Sequence, residues 1–369
     1  MKEKINFRPY IMLGALVAIW LVFAFTTDGL FLTNRNFSNL MRQTAIVGLL
    51  ATGMVLIIVT GHIDLSVGSV VAFTGGVAAI LNVWSFDFSS PLAIIVALGV
   101  GVLIGALNGW LVAYANIPAF IVTLGGMLIY RGAVKGSTKG ETVGPLKEDF
   151  QLLGGSFLPK YVGYIVLFLL LAAIAYLIYS NIKKLKEENR PYMMHLFGGI
   201  GLMVICSGFF FALNSYKGLP YPVLILLVIA TIVTILSSLT PFGRHVYALG
   251  GNKEAAFYSG IDIRKNTLFV FMIMGFLAAV AGVVYTAQLG NATANAGRNL
   301  ELDAIAACVI GGTSLIGGKG TIPGALLGAL IMASLDNGMI LMNVQDYIQD
   351  IIKGLILVTA VWLDVSGKK

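Results

Sequence analysis

Continuous apolar runs of membrane-crossing length constrain this chain more than any other feature, with residues 161–179 and 221–239 as clear examples. A spanning helix needs roughly 20 apolar residues to cross a hydrocarbon core about 30 Å thick. The strands of a membrane barrel would instead alternate over about 10 residues. Hydrophobic residues make up 58 % of the chain and charged residues 11 %, against about 25 % charged in ordinary soluble domains. The chain therefore reads as an all-α polytopic membrane protein forming one domain over residues 1–369. Candidate spans fall at 10–26, 43–60, 65–83, 91–114, 117–134, 161–180, 195–213, 220–239, 266–288, 303–316, 322–343 and 350–364.

Charge then sets orientation. The formal net charge is +7, but the basic residues sit at span ends, where they select the cytoplasmic side rather than a nucleic acid. With the N-terminus inside, Lys2, Lys4 and Arg8, the Lys183–Arg190 stretch, and the segment 240–265 all fall on the cytoplasmic side, and both termini are cytoplasmic. The first run resembles a signal peptide but ends Phe23-Ala24-Phe25-Thr26-Thr27 without a small-x-small site, so it reads as a retained span. Cys206 and Cys308 lie in apolar runs and read as buried free thiols.

Two places read as broken helices. One is Thr60-Gly61-His62-Ile63-Asp64-Leu65-Ser66-Val67-Gly68-Ser69, where Asp64 or Ser66 is placed to cap the following helix. The other runs from Gly311 to Gly324, after an apolar stretch reaching only about 21 Å at 1.5 Å per residue, as a half-membrane helix would. Irregular backbone at such depth survives only inside protein or beside a cavity. Their shared pattern of apolar run, Gly-rich break and small-residue helix is what weakly duplicated transporter halves look like. Gly101, Gly105 and Gly109, and likewise Gly324 and Gly328, repeat at four-residue spacing, which favours close helix packing over a ligand role.

Several chemistries are excluded. Gly317-Gly318-Lys319-Gly320-Thr321 fails the phosphate-loop pattern, which needs Gly where Thr313 stands and Ser or Thr where Gly320 stands. His62, His195 and His245 follow no metal spacing, and no nucleophile–base pattern is present, so the chain is not expected to be an enzyme. Among the acids at span level, Asp64, Glu301 and Asp303 stand at helix starts, which favours capping, whereas Asp336-Asn337 is more interior. Neutral polar residues inside spans, including Thr44, Thr60, Asn108, Thr123, Gln288, Thr313, Ser314 and Asn337, suit either helix–helix hydrogen bonds or a hydroxyl-lined path. The polar segment 241–265 contains a short helix-forming stretch with small residues Ala255, Ala256 and Gly260 rimmed by Lys253, Glu254, Asp262 and Arg264, a surface suited to docking with a partner.

Three of these segments together carry a family resemblance. Gly61–Ser69, then Phe242–Asn252 followed by Glu254-Ala255-Ala256 and Ser259-Gly260-Ile261, and finally Val309–Gly320 with Gly324–Gly328, resemble permease subunits of monosaccharide ABC importers of the ribose, xylose and galactose type. The resemblance covers roughly residues 36–134 and 220–364. The insertion at 161–219 resembles the xylose and multiple-monosaccharide branch. The fold implied is similar to the ten-helix permease of vitamin B12 (type II) importers with about two extra helices. The partners implied are two ATP-binding cassette subunits, an extracytoplasmic sugar-binding protein and a second permease copy, in a bacterial cytoplasmic membrane. ATP and Mg would be bound by the ATPase, leaving this chain without a cofactor. Glu254, Ala255, Ala256 and Gly260 would form the coupling helix. Pathway candidates are His62, Asp64, Ser66, Asn108, Gln288, Thr313, Ser314 and Asn337. The cargo stays open between a xylose-like sugar and nucleosides, a furanosyl signal or branched-chain amino acids, and an ion-coupled carrier using Asp64 and Asp336 is a further alternative.

Overall fold

The computed structural model describes residues 8–84, 88–188, 190 and 192–366; Lys2, Lys4, Lys368 and Lys369 lie outside them. The described residues form helices joined by short loops: α1 (Arg8–Thr26), α2 (Asn34–Val59), α3 (Val67–Ala79, continued by a π-helical turn to Trp84), α4 (Ser90–Ala113), α5 (Ala119–Ser137), α6 (Glu148–Gly155), α7 (Lys160–Glu187), α8 (Met193–Tyr216), α9 (Tyr221–Leu239), α10 (Pro241–Gly251), α11 (Lys253–Tyr258), α12 (Ile263–Leu289), α13 (Leu300–Ile310), α14 (Ile322–Leu341) and α15 (Asp346–Ser366). Among the described residues eight helices are long and apolar enough to cross a membrane. The expected spans near 117–134 and 350–364 form α5 and α15, which carry interior charges such as Arg131 and Lys353. The expected span 303–316 is an 11-residue helix ending at Ile310, in keeping with the half-membrane reading.

The core is built on α2, which is almost entirely buried, with α3, α12, α13 and α14 packed around it. Glycine permits the closest seams. On α4, Gly101, Gly105 and Gly109 rest directly on α12 backbone at Gly275, Phe271 and Leu268. Gly324 and Gly328 of α14 do the same against Gly311 and Ala307 of α13. Added side chains there would meet main-chain atoms, so the four-residue spacing is packing.

Helix depth follows from the same contacts. Gly282 of α12 meets Val71 and Thr74, and Gly75 meets Thr286, so α3 and α12 ascend in step. Val67 is therefore level with residue 278, about 22 Å from the start of α12 at 1.5 Å per residue. Residues 60–66 lead from α2 to that depth: Gly61 N and His62 N donate back to Ile58 O and Ile57 O in a turn that closes α2, and the chain then runs through 63–65 to Ser66, already helical at φ −81° and ψ −14°. Gly68 abuts Gly297 and Glu301, so α13 starts at the same central depth and descends from there. Two helix N-termini thus meet mid-bundle, each carrying acids (Asp64; Glu301 and Asp303) on its positive dipole end.

On the periphery, α1 is tied to α14 by Trp20 Nε1 donating to Ser334 Oγ at 3.0 Å and by Phe23 lying on Gly338. Insertion 161–219 forms the α7–α8 hairpin and its return into α9. Phe209, Phe210, Leu213 and Leu219, with Val166, Leu167 and Leu170 of α7, pack into the body with Phe31, Phe37 and Leu40. Much of its remaining apolar surface is exposed.

Candidate functional site: a polar loop fastened to two helix breaks

The polar loop after α9 is capped at every turn. Thr240 Oγ1 donates to Leu236 O at 2.6 Å and accepts from Gly243 N, starting α10. Asn252 Oδ1 accepts from Ala255 N at 2.9 Å, starting α11, and Asp262 Oδ1 accepts from Lys265 N at 3.0 Å, starting α12. These Asn, Thr and Asp caps satisfy otherwise orphaned N–H groups. Gly260 lies outside α11, beyond the C-cap Ser259, in a left-handed turn at φ 79°.

This loop is fastened to both breaks. Gly250 is pressed against Val59 O, at the end of α2, and against Gly318. Gly318 N donates to the same Val59 O at 2.9 Å, and Tyr247 OH donates to Gly320 O at 2.7 Å. Residues 59–61, 247–251 and 317–320 therefore form one knot. The exposed surface of α11 differs from the small-residue face read from sequence. Ala256 is 4 % exposed and packs inward, whereas Lys253, Glu254 and Ala255 are exposed, with Phe257 at 64 % and Tyr258 at 85 %. Two aromatic rings on a solvent-side loop were the signal available in the sequence.

Above the knot, the first break is held by a polar chain. Asp64 Oδ1 accepts from Ser66 N at 2.8 Å and Ser66 Oγ at 2.6 Å. Asn108 Nδ2 donates to Ser66 Oγ at 3.2 Å, and Tyr130 OH donates to Asn108 Oδ1 at 3.0 Å. Asp64 thus caps the turn that enters α3, while the Ser66 side chain makes no cap bond and bridges instead to α4 and α5. Thr123 Oγ1 reaches Ile63 O at 3.3 Å. His62 stands where two cavities of about 620 and 460 Å³ share a wall with Val112, Asn116 and Lys253, one of them beside Phe257, Asp262 and Thr267. Burial, reinforced by the nearby Lys253 charge, lowers the His62 ring to about 4, so it is neutral near pH 7.

The remaining pathway candidates lie apart from this chain of contacts. Gln288 sits at the far end of α12 against Gly154 of α6, its Oε1 buried without a partner. Asn337 accepts from Asn36 Nδ2 at 2.7 Å and ties α14 to α2. Thr313 and Ser314 belong to the second break, with Thr313 Oγ1 buried and unpartnered and Ser314 N donating to Lys319 O. Asp303 caps nothing: Lys353 Nζ lies 3.2 Å from its Oδ2 and 2.8 Å from Asp336 Oδ2. Sequence reasoning missed Tyr130, Lys353 and Arg131. The Arg131 guanidinium donates to Ala294 O and Ala296 O at 2.9 and 2.6 Å, holding the irregular chain before α13. For Arg131 and Lys353 the signal was a basic residue inside an apolar helix. Among the described residues no group of His, Cys, Asp or Glu is arranged to hold a metal ion.

A membrane-embedded helical bundle with two central helix breaks and a fastened loop on one face has the build of a transport permease. The chain belongs to the family described as branched-chain amino acid transport system / permease component, which matches residues 36–361. It is 46 % identical over 372 residues to the xylose transport system permease protein XylH of Escherichia coli strain K12, covering all of this chain and 94 % of that protein. The XylH of Haemophilus influenzae strain Rd is 45 % identical over all of this chain and 98 % of its own length. The ribose import permease protein RbsC of the same strain is 35 % identical over 98 % of this chain and 93 % of its own. No solved structure matches the chain.

Proposed function

We propose that this chain is the membrane subunit of an ABC importer that moves a monosaccharide, a xylose-like pentose first, into the bacterial cytoplasm. Energy comes from ATP hydrolysis on partner ATPase subunits, which bind the ATP and Mg; this chain carries no cofactor and catalyses no reaction. An extracytoplasmic binding protein delivers the sugar, a second copy of the chain completes the pore, and both termini face the cytoplasm. The chain forms one domain, with 241–265 as its coupling loop and 161–219 as an insertion.

The observation that carries this reading is the knot of Val59, Tyr247, Gly250, Gly318 and Gly320. A helix docked in a partner's cleft, here α11, moves the ends of both broken helices through it without an intermediate. The bulky exposed surface of Glu254, Ala255, Phe257 and Tyr258 gives α11 its grip, while Ala256 and Gly260 hold its shape. The likeness to XylH proteins over the full chain favours xylose over ribose as cargo, and sugars over amino acids. An ion-coupled carrier is disfavoured because Asp64 is engaged by Ser66 and Asp336 by Lys353.

The test is uptake in proteoliposomes, with and without the ATPase and binding protein, across pentoses, hexoses and branched-chain amino acids. ATP-dependent uptake of D-xylose that needs both partners is expected. Uptake by this chain alone on an ion gradient would refute the reading.

A further inference from the structure

A second polar site lies between α13, α14 and α15, in the half of the bundle away from the coupling loop. Asp336 is 14 residues above the start of α14, about 21 Å from the loop face. Lys353 is shared between Asp303 and Asp336, and Asp303 is 3 % exposed. One lysine and one aspartate would balance each other. Here a second carboxylate is retained, and Oδ1 of both Asp303 and Asp336 is buried without a hydrogen-bond partner. Ionised side chains at such depth each cost about 2.5–3.5 kcal/mol on insertion scales and mark functional positions. A buried, unbonded carboxylate oxygen adds to that cost.

Asp303 and Lys353 open onto a cavity of about 260 Å³ that is also lined by Arg298, Asn299, Asp350 and Gly354. Asn299 Nδ2 donates to Asp350 Oδ1 at 3.0 Å on its rim. The volume lies just below the range of about 300–1,000 Å³ that encloses drug-sized molecules, so a smaller ligand fits. The lining offers acceptors and donors side by side, as a neutral polyol needs, because each hydroxyl both gives and takes a hydrogen bond. Two carboxylates (Asp303, Asp350) face two cations (Arg298, Lys353) across the lining, so neither sign of ligand charge is favoured, and an apolar ligand would leave Asp303 Oδ1 unbonded. Arg298 and Asn299 of the lining directly follow Gly297, which abuts Gly68, so the cavity adjoins the point where the two broken helices meet.

We infer that this cavity is a transient binding site for the transported monosaccharide inside the permease, between its delivery at the far face and the helix breaks. The inference rests on the sugar-importer reading and adds a sugar-contacting site to it. Gly354 supplies the probe, because no atom lies within 4 Å of where its Cβ would stand. In the complete transporter, Gly354→Leu fills the cavity without disturbing the ion pairs. D-xylose uptake at saturating binding protein should fall at least tenfold with assembly kept, and Gly354→Ala should lower it less than Gly354→Leu. In a Cys206→Ser background, D-xylose should slow labelling of Leu302→Cys by a charged maleimide at least threefold, and Gly354→Leu should remove that protection. Equal uptake by Gly354→Leu and wild type would overturn the site. So would xylose uptake that depends on sodium, which would give the cavity to a cation. Failure of the wild-type complex to accumulate D-xylose would sink the cargo reading, and this inference with it.

Discussion

At the scale of single residues, His62 and Gly250 show how burial and close approach translate into measurable behaviour. The His62 ring has its folded value lowered to about 4 from an ordinary 6.5. Between those values the unfolded chain binds a proton that the folded protein does not. This group's contribution therefore makes stability fall as pH drops from about 6.5 toward 4. The detergent-solubilised protein should melt at lower temperature at pH 5 than at pH 7.5, and His62→Gln should flatten that difference. Identical pH dependence in the variant would show that the ring does not titrate as described. Gly250 has backbone on two sides, at Val59 and Gly318, so Gly250→Val should cost at least the 1–3 kcal/mol typical of overpacking, read as a lower melting temperature. Of the residues named from sequence, Asp64, Ser66 and Asn108 do come together. Their polar types within apolar runs carried that information. Tyr130 and Lys353 were not legible because their partners lie 22 and 17–50 residues away in sequence, separations that only packing defines.

At the scale of elements, α11 was visible as a short helix, but which of its faces turned outward was not. A six-residue helix has too few positions to display a periodicity, and small residues suit an inward face as well as an outward one. The structure makes Ala255, not Ala256, the probe of docking. Ala255→Arg should reduce co-purification of the ATPase at least tenfold while membrane insertion and melting temperature stay unchanged. Ala256→Arg should instead destabilise the loop itself. A variant at 255 that retains the ATPase would remove α11 from the interface. The α13–α15 contact makes a separate prediction. Lys353→Met leaves Asp303 and Asp336 uncompensated and should cost about 3–5 kcal/mol, as breaking a buried ion pair does. Unfolding in denaturant would measure this. The half-length of α13 was legible, because an apolar run bounded by glycines cannot reach across a bilayer.

Across the whole molecule, hydropathy made the all-α membrane class plain, and the four-residue glycine spacing anticipated the α4–α12 and α13–α14 seams. The depth of the breaks was not legible. It depends on α3 and α12 ascending in register, which is set by Gly75 and Gly282 meeting Thr286 and Val71. The account's central claim is that motion of the coupling loop reaches both broken helices through one knot. Tyr247→Phe tests it most directly, since it removes only the hydroxyl that donates to Gly320 O. The measurement is the sugar transported per ATP hydrolysed by the reconstituted transporter. The account predicts that ATP hydrolysis persists and this ratio falls several-fold. A ratio equal to that of the wild type would contradict it.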